Sequence, residues 1–201
     1  MGNVSSEENV VGQIINEKSV ILLDSQSICF KLLCFGEETS KKQNFFKKLL
    51  KWGENLDSVI TANYKIGDSR TIAVVNFWSV CAKDLLNDRN KKMITCETNA
   101  ILLFFDSENP ESLKKLDQLY LKFVKENFHC EKVFVICVRE KSYCEKRIFC
   151  EIEAEIWAKI NGMFFLLADL HDTEALKNMI SFVLEKINEN ERIYQNNLIQ
   201  L

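Results

Sequence analysis

"ICFKLLCFGEETSKKQNFF", residues 28–46, decides how the rest of the chain is read. It runs from an apolar, strand-like stretch through a short loop opening on Gly36 to Lys42, which heads an amphipathic, helix-like stretch. That is the layout of a phosphate-binding loop, in which backbone N–H groups at a helix start face an anion. The residues inside the loop argue against the anion. It holds one glycine, Glu37 and Glu38 add two negative charges, and Gln43 stands where a magnesium-binding hydroxyl is needed.

Outward from this loop, strand-like and helix-like segments alternate. "SKKQNFFKKLLKWGENL" predicts a helix with Phe45, Phe46, Leu49, Leu50 and Trp52 on one side. Lys47, Lys48 and Lys51 fall on the other, and Gly53 is its expected end. Before the loop, "SVILLD" at residues 19–24 is a further short apolar run. "SVITANYKIGDSRTIAVVNFW" predicts a hairpin turning at Gly67–Ser69, and the charge-rich stretch from Lys83 to Thr98 has no clear period. "NAILLFFD" reads as a strand covered on both faces. "NPESLKKLDQLYLKFVKENF" predicts a helix capped by Asn109 with Pro110 in its first turn. Then come the strand "KVFVICV", a helix carrying Ile148, Ile152, Ile156 and Ile160, and the strand "GMFFLLA". A last helix sets Leu176, Ile180, Val183, Leu184 and Ile187 on one face. Alternation of this kind predicts an α/β fold with a mostly parallel sheet between helices. The expected organisation is a leader over 1–18, one domain over 19–190 and a tail over 191–201.

Composition narrows the function classes. The 201 residues are 47% hydrophobic and 27% charged with a net charge of −3, so nucleic acid is not the expected partner. No apolar run is long enough to span a bilayer, and "MGNVSSEENV" is not a secretory signal. The 8 cysteines include no C-x-x-C pair, and His129 and His171 are the only histidines. Buried, reduced thiols in a cytoplasmic protein are expected, with no metal site.

The order hairpin, buried strand ending in Asp106, proline-started helix, strand, helix, strand, helix resembles that of Ras-like small GTPases. "ICFKLLCFGEETSKKQNFF" is similar to the first strand, phosphate loop and first helix of Rab proteins. "AILLFFDSENPESLKKL", with Glu111–Ser112, is similar to the fourth strand and following helix of the Rab and Arf branches. The resemblance covers roughly residues 27–190. It implies a small-GTPase-like three-layer sandwich: a mostly parallel six-stranded sheet with one antiparallel hairpin strand and helices on both faces.

Set on the family's motifs, the chain departs at each. Gly36 takes the first loop glycine and Lys42 the lysine, while Lys41 replaces the second glycine and Gln43 the hydroxyl residue. The D-x-x-G motif is replaced by Ser79-Val80-Cys81-Ala82, followed by Lys83 in place of the water-orienting glutamine. Thr61 is similar to the threonine of the first switch. Where N-K-x-D should read guanine, the chain has Val138-Arg139-Glu140-Lys141, and Lys141 would present donors to donors. Asp169-Leu170-His171 replaces S-A-K. The resemblance therefore implies no catalytic residues, no bound nucleotide and no cofactor. The former pocket is expected to be filled by side chains such as Glu37, Lys41 and Lys42.

Met1-Gly2-Asn3-Val4-Ser5-Ser6 matches the N-myristoylation pattern, with Gly2 as the acylated residue. One such chain anchors weakly, so a second contact is expected, for which Lys41, Lys47, Lys48 and Lys51 are candidates toward a membrane or partner. "NNLIQL" contains no cysteine for prenylation. The expected function is a pseudoGTPase: a catalytically inactive, small-GTPase-like scaffold, cytoplasmic and peripheral on a membrane, that binds protein partners. The alternatives are a degenerate, nucleotide-binding switch in membrane traffic and a nucleotide-free subunit of a larger complex.

Overall fold

The computed structural model describes residues 27–36, 40–50, 59–65, 72–80, 88–120, 124–125, 130, 132–140 and 145–198. The leader with Gly2, "SVILLD", Glu37, Glu38, Lys51, Gly67–Ser69, Ala82, Lys83, His129 and Lys141 lie outside the described residues. The strands are β1 (Ser27–Phe35), β2 (Val59–Lys65), β3 (Ile72–Val80), β4 (Ala100–Asp106), β5 (Val133–Arg139) and β6 (Phe164–Asp169). The helices are α1 (Lys42–Leu50), α2 (Asp88–Thr95), α3 (Pro110–Leu119), α4 (Glu145–Ile160) and α5 (Thr173–Leu198).

The strands form one six-stranded sheet in the order β2-β3-β1-β4-β5-β6. Only β2 runs antiparallel, setting Ile60 opposite Phe77 and Ala62 opposite Val75. The other neighbours are parallel, with Leu33 of β1 level with Trp78 and Ile101, and Leu103 of β4 level with Val135. Every residue of β4 is buried, because the strand is covered on both faces, which is why its sequence is apolar without alternation.

Two cores flank the sheet. On one face Phe45, Phe46 and Leu49 of α1 and Leu176, Ile180, Val183, Leu184 and Ile187 of α5 meet Phe30, Leu32, Phe77 and Phe104. Phe45, Phe46, Phe77 and Phe104 form an aromatic cluster with centroids 5.1 to 5.8 Å apart, which holds α1 against the centre of the sheet. On the other face Ile94 of α2, Leu113 and Leu116 of α3 and Cys150, Ala154 and Ala158 of α4 cover Leu33, Phe35, Leu103 and Phe105.

Two elements differ from the sequence expectation. Helix α2 lies in the stretch that showed no period. Among its side chains described, Ile94 is the buried apolar one, and Lys31 Nζ on β1 donates to Met93 O (2.9 Å) and Cys96 O (2.8 Å) at its C-terminal end. A distant lysine thus satisfies carbonyls that a helix end leaves open, and no local pattern records it. Helix α5 continues through residues 191–198, assigned above to a tail. In α4, for which the sequence set no inward face, the isoleucine row faces solvent and Cys150, Ala154 and Ala158 lie against the sheet. Small residues there let the helix lie close over β5 and β6, while Trp157 anchors it sideways to α3 through Asp117 Oδ1 (2.7 Å) and Tyr120.

Candidate functional site

In a parallel sheet the carboxyl ends of the strands are where loops converge and ligands bind. Among the described residues that edge gathers Gly36 and Ser40 to Lys42 after β1, Asp106 to Ser112 at and after the end of β4, and Glu140 after β5. Gly36 is needed for close approach. A Cβ there would lie 2.6 Å from Ser40 Oγ and 3.0 Å from both Phe104 O and Phe104 Cβ, so the chain passes directly over β4. The cleft beside it, lined by Gly36, Ser40, Phe104, Ser112, Lys115, Leu116 and Leu119, measures about 10 Å³. That is room for one water.

Both loop lysines turn inward. Lys42, the first residue of α1, is 7% exposed. Its Nζ donates to Cys34 O (3.1 Å) at the end of β1 and to Val80 O (3.2 Å) at the end of β3. Lys41 holds a positive φ of 55°, the backbone region that favours glycine. Its Nζ lies 3.3 Å from Asp106, 3.0 Å from Glu108 and 3.2 Å from Glu140. Burial pulls the Lys41 pKa down, but hydrogen bonds to Glu108 and Glu140 and the charge of Asp106 outweigh it and raise the pKa. The ammonium is therefore fixed and charged at neutral pH.

The carboxylates are held in turn. Asp106 Oδ1 accepts from Glu108 N (2.9 Å), and the Ser112 hydroxyl accepts from Asp106 N (2.9 Å) and donates to Asn109 O (2.6 Å). Ser112 thus braces the end of β4 against the start of α3, whose cap Asn109 accepts from Glu111 N (3.2 Å). Asn44 of α1 donates to Glu140 Oε1 (3.1 Å), and His171 Nε2 contacts the Glu140 carbonyl. Arg139 forks onto Glu151 of α4 at 2.7 and 2.6 Å, a bidentate, charge-assisted pair.

The edge brings Gly36, Lys41 and Lys42 together, and the described partners of Lys41 are Asp106, Glu108 and Glu140. Glu108 and Glu140 were missed because their site is assembled from strand ends distant in sequence. The usable signal was that each is charged and stands within two residues of the end of a strand with an apolar interior. Gln43 and Lys48 are exposed, Lys47 is half-buried, and Lys41 is turned away from that pair into its carboxylates. The Thr61 hydroxyl donates to Asn76 Oδ1 (2.7 Å) across the hairpin. Among the described residues no three His, Cys, Asp or Glu side chains are placed to hold a metal ion. No helix described is long and apolar enough to cross a membrane.

No protein-family model matches the sequence. No curated protein matches it either.

Proposed function

We propose that this chain is a small-GTPase-like interaction module that works without nucleotide, a pseudoGTPase of Rab- and Arf-like resemblance. The observation that carries the reading is the internal use of both loop ammonium groups. Lys42 is tied to the carbonyls of Cys34 and Val80, and Lys41 to three carboxylates. A triphosphate bound here would displace those contacts and lie beside Asp106, Glu108 and Glu140. Each carboxylate within 4 Å of a phosphate charge opposes it by about 1 kcal/mol in water and about 4 kcal/mol near a protein surface. Glu140 follows β5 in the stretch that stands where N-K-x-D should read guanine, and it is an acceptor already engaged by Lys41 and Asn44.

Without a phosphate sensor there is no γ-phosphate to order the switch loops, so partner binding is constitutive and control lies in placement. Gly2 acylation, read from the terminal pattern, supplies a weak anchor to a membrane that a protein partner reinforces. Two experiments test the two halves. Purified protein, denatured and resolved by ion exchange, should release no GDP or GTP, and adding either with magnesium should leave the melting temperature unchanged. A rise of several degrees at submillimolar nucleotide overturns the nucleotide-free half and favours the degenerate switch. Gly2→Ala should move the protein from membrane to soluble fractions. Unchanged membrane association of that variant overturns the anchor.

A further inference from the structure

Helix α4 is built with its large side chains outward. The sheet-facing Cys150, Ala154 and Ala158 are at most 2% exposed, while Phe149 and Ile160 are 77% exposed, Ile156 54% and Ile152 50%. With Ile148 these residues fall within an arc of about 120° on the side away from the sheet. They leave about 500 Å² of apolar surface in contact with water, near the upper end for the largest patch on a monomer. The helix cannot rotate to hide them. Its inner face is fixed by close packing on β5 and β6, by the Trp157–Asp117 hydrogen bond and by the Arg139–Glu151 fork.

We infer that this face is covered by the same face of a second copy of the chain, the two α4 helices packing antiparallel across a two-fold axis near Ile152. Shape is the first reason. Ile148, Ile152, Ile156 and Ile160 form a ridge with four-residue spacing, and such ridges interdigitate with copies of themselves at a crossing near −50°. An isologous contact requires this self-complementarity. Charge is the second. Among the residues whose side chains are described, Lys159 in the last turn is the charged residue within the arc. Parallel packing would set the two Lys159 ammonium groups together, whereas antiparallel packing places them at opposite ends of the contact. Area is the third. Two such faces bury at most about 1,000 Å² in total, at the lower limit for a specific interface and well below a permanent one, so the dimer is a reversible one.

This inference is independent of nucleotide. Its test is sedimentation of the full chain over the micromolar to submillimolar range, with Ile152→Glu and Ile152→Lys alongside. The wild type should pass from monomer to dimer with rising concentration. Each variant should remain monomeric with an unchanged circular dichroism spectrum, because position 152 lies outside the core. An equimolar mixture of the two variants should recover the dimer, since position 152 of one copy meets position 152 of the other. A wild type that stays monomeric throughout, or variants that dimerise as the wild type does, overturns the proposal and leaves the face to a different protein. A mixture that fails to associate overturns the antiparallel geometry.

Discussion

The carboxyl edge of the sheet and the outer face of α4 are opposites. The edge carries the residues whose pattern implies a ligand, yet its two lysines are bound to the chain itself. The α4 face carries no motif, and it is the face left without a partner in the monomer. A sequence pattern marks residues that can converge, whereas uncovered apolar area marks surface that a partner can bury. Function is accordingly better sought on the surface with unmet demand than at the site with the recognisable letters.

Stability measurements can break this contrast. Lys42→Met should lower the unfolding free energy by about 3 kcal/mol, since it strips two buried carbonyls of a charged donor. Ile156→Ser, measured at low protein concentration, should change it by no more than about 0.5 kcal/mol. Urea titrations check both, and a reversed order would mean the edge is loose and the α4 face is core. Gly36→Ala should cost about 2 kcal/mol, because the new methyl meets the Phe104 backbone at 3.0 Å. At Lys41 a pair of variants sharpens the account. Lys41→Met removes the ammonium from three carboxylates but keeps the positive φ, whereas Lys41→Gly removes the ammonium and relieves the backbone. Lys41→Gly should therefore be the more stable of the two by about 1 kcal/mol, and equal midpoints would show that the backbone there is not strained.

High pH gives smaller, graded effects. Burial pushes the Cys34 thiol from 9.0 up to about 12. Burial, with Glu153 and Asp106 nearby, pushes Cys150 up to about 11. A raised folded pKa means the native state keeps its proton longer than the unfolded chain. This contribution is whole below pH 9.0 and is lost as pH rises towards 11 and 12. Lys41, raised above 10.5, loses its contribution in the same direction above that value. Urea midpoints should thus fall steadily from about pH 9 upward, and a flat profile would place these thiols in water. The smallest effect is chemical. A maleimide at neutral pH should label the exposed Cys29 and Cys96 while leaving Cys34, Cys137 and Cys150 unmodified until the protein unfolds.

Much of the fold was legible in the sequence. The unbroken apolar run of β4, the Asn109–Pro110 start of α3 and the apolar stripe of α5 are local signals, and each element formed where its signal lay. Helix α2 was illegible because its anchors are Ile94 and a lysine on β1. The site was half legible. Gly36 and Lys42 sit in a local pattern, but Glu108 and Glu140 reach Lys41 only because β1, β4 and β5 are successive in the sheet and end on one edge.

By itself, then, the sequence determined the alternation of strands and helices and the caps, since each depends on spacing along the chain. The tertiary structure alone decided where the charges of the edge find partners and which side of α4 meets water. Helical periodicity places Ile148, Ile152, Ile156 and Ile160 on a common face, and places Cys150, Ala154 and Ala158 on another. Which of the two turns inward depends on how closely β5 and β6 let the helix approach, and small side chains permit the closest approach.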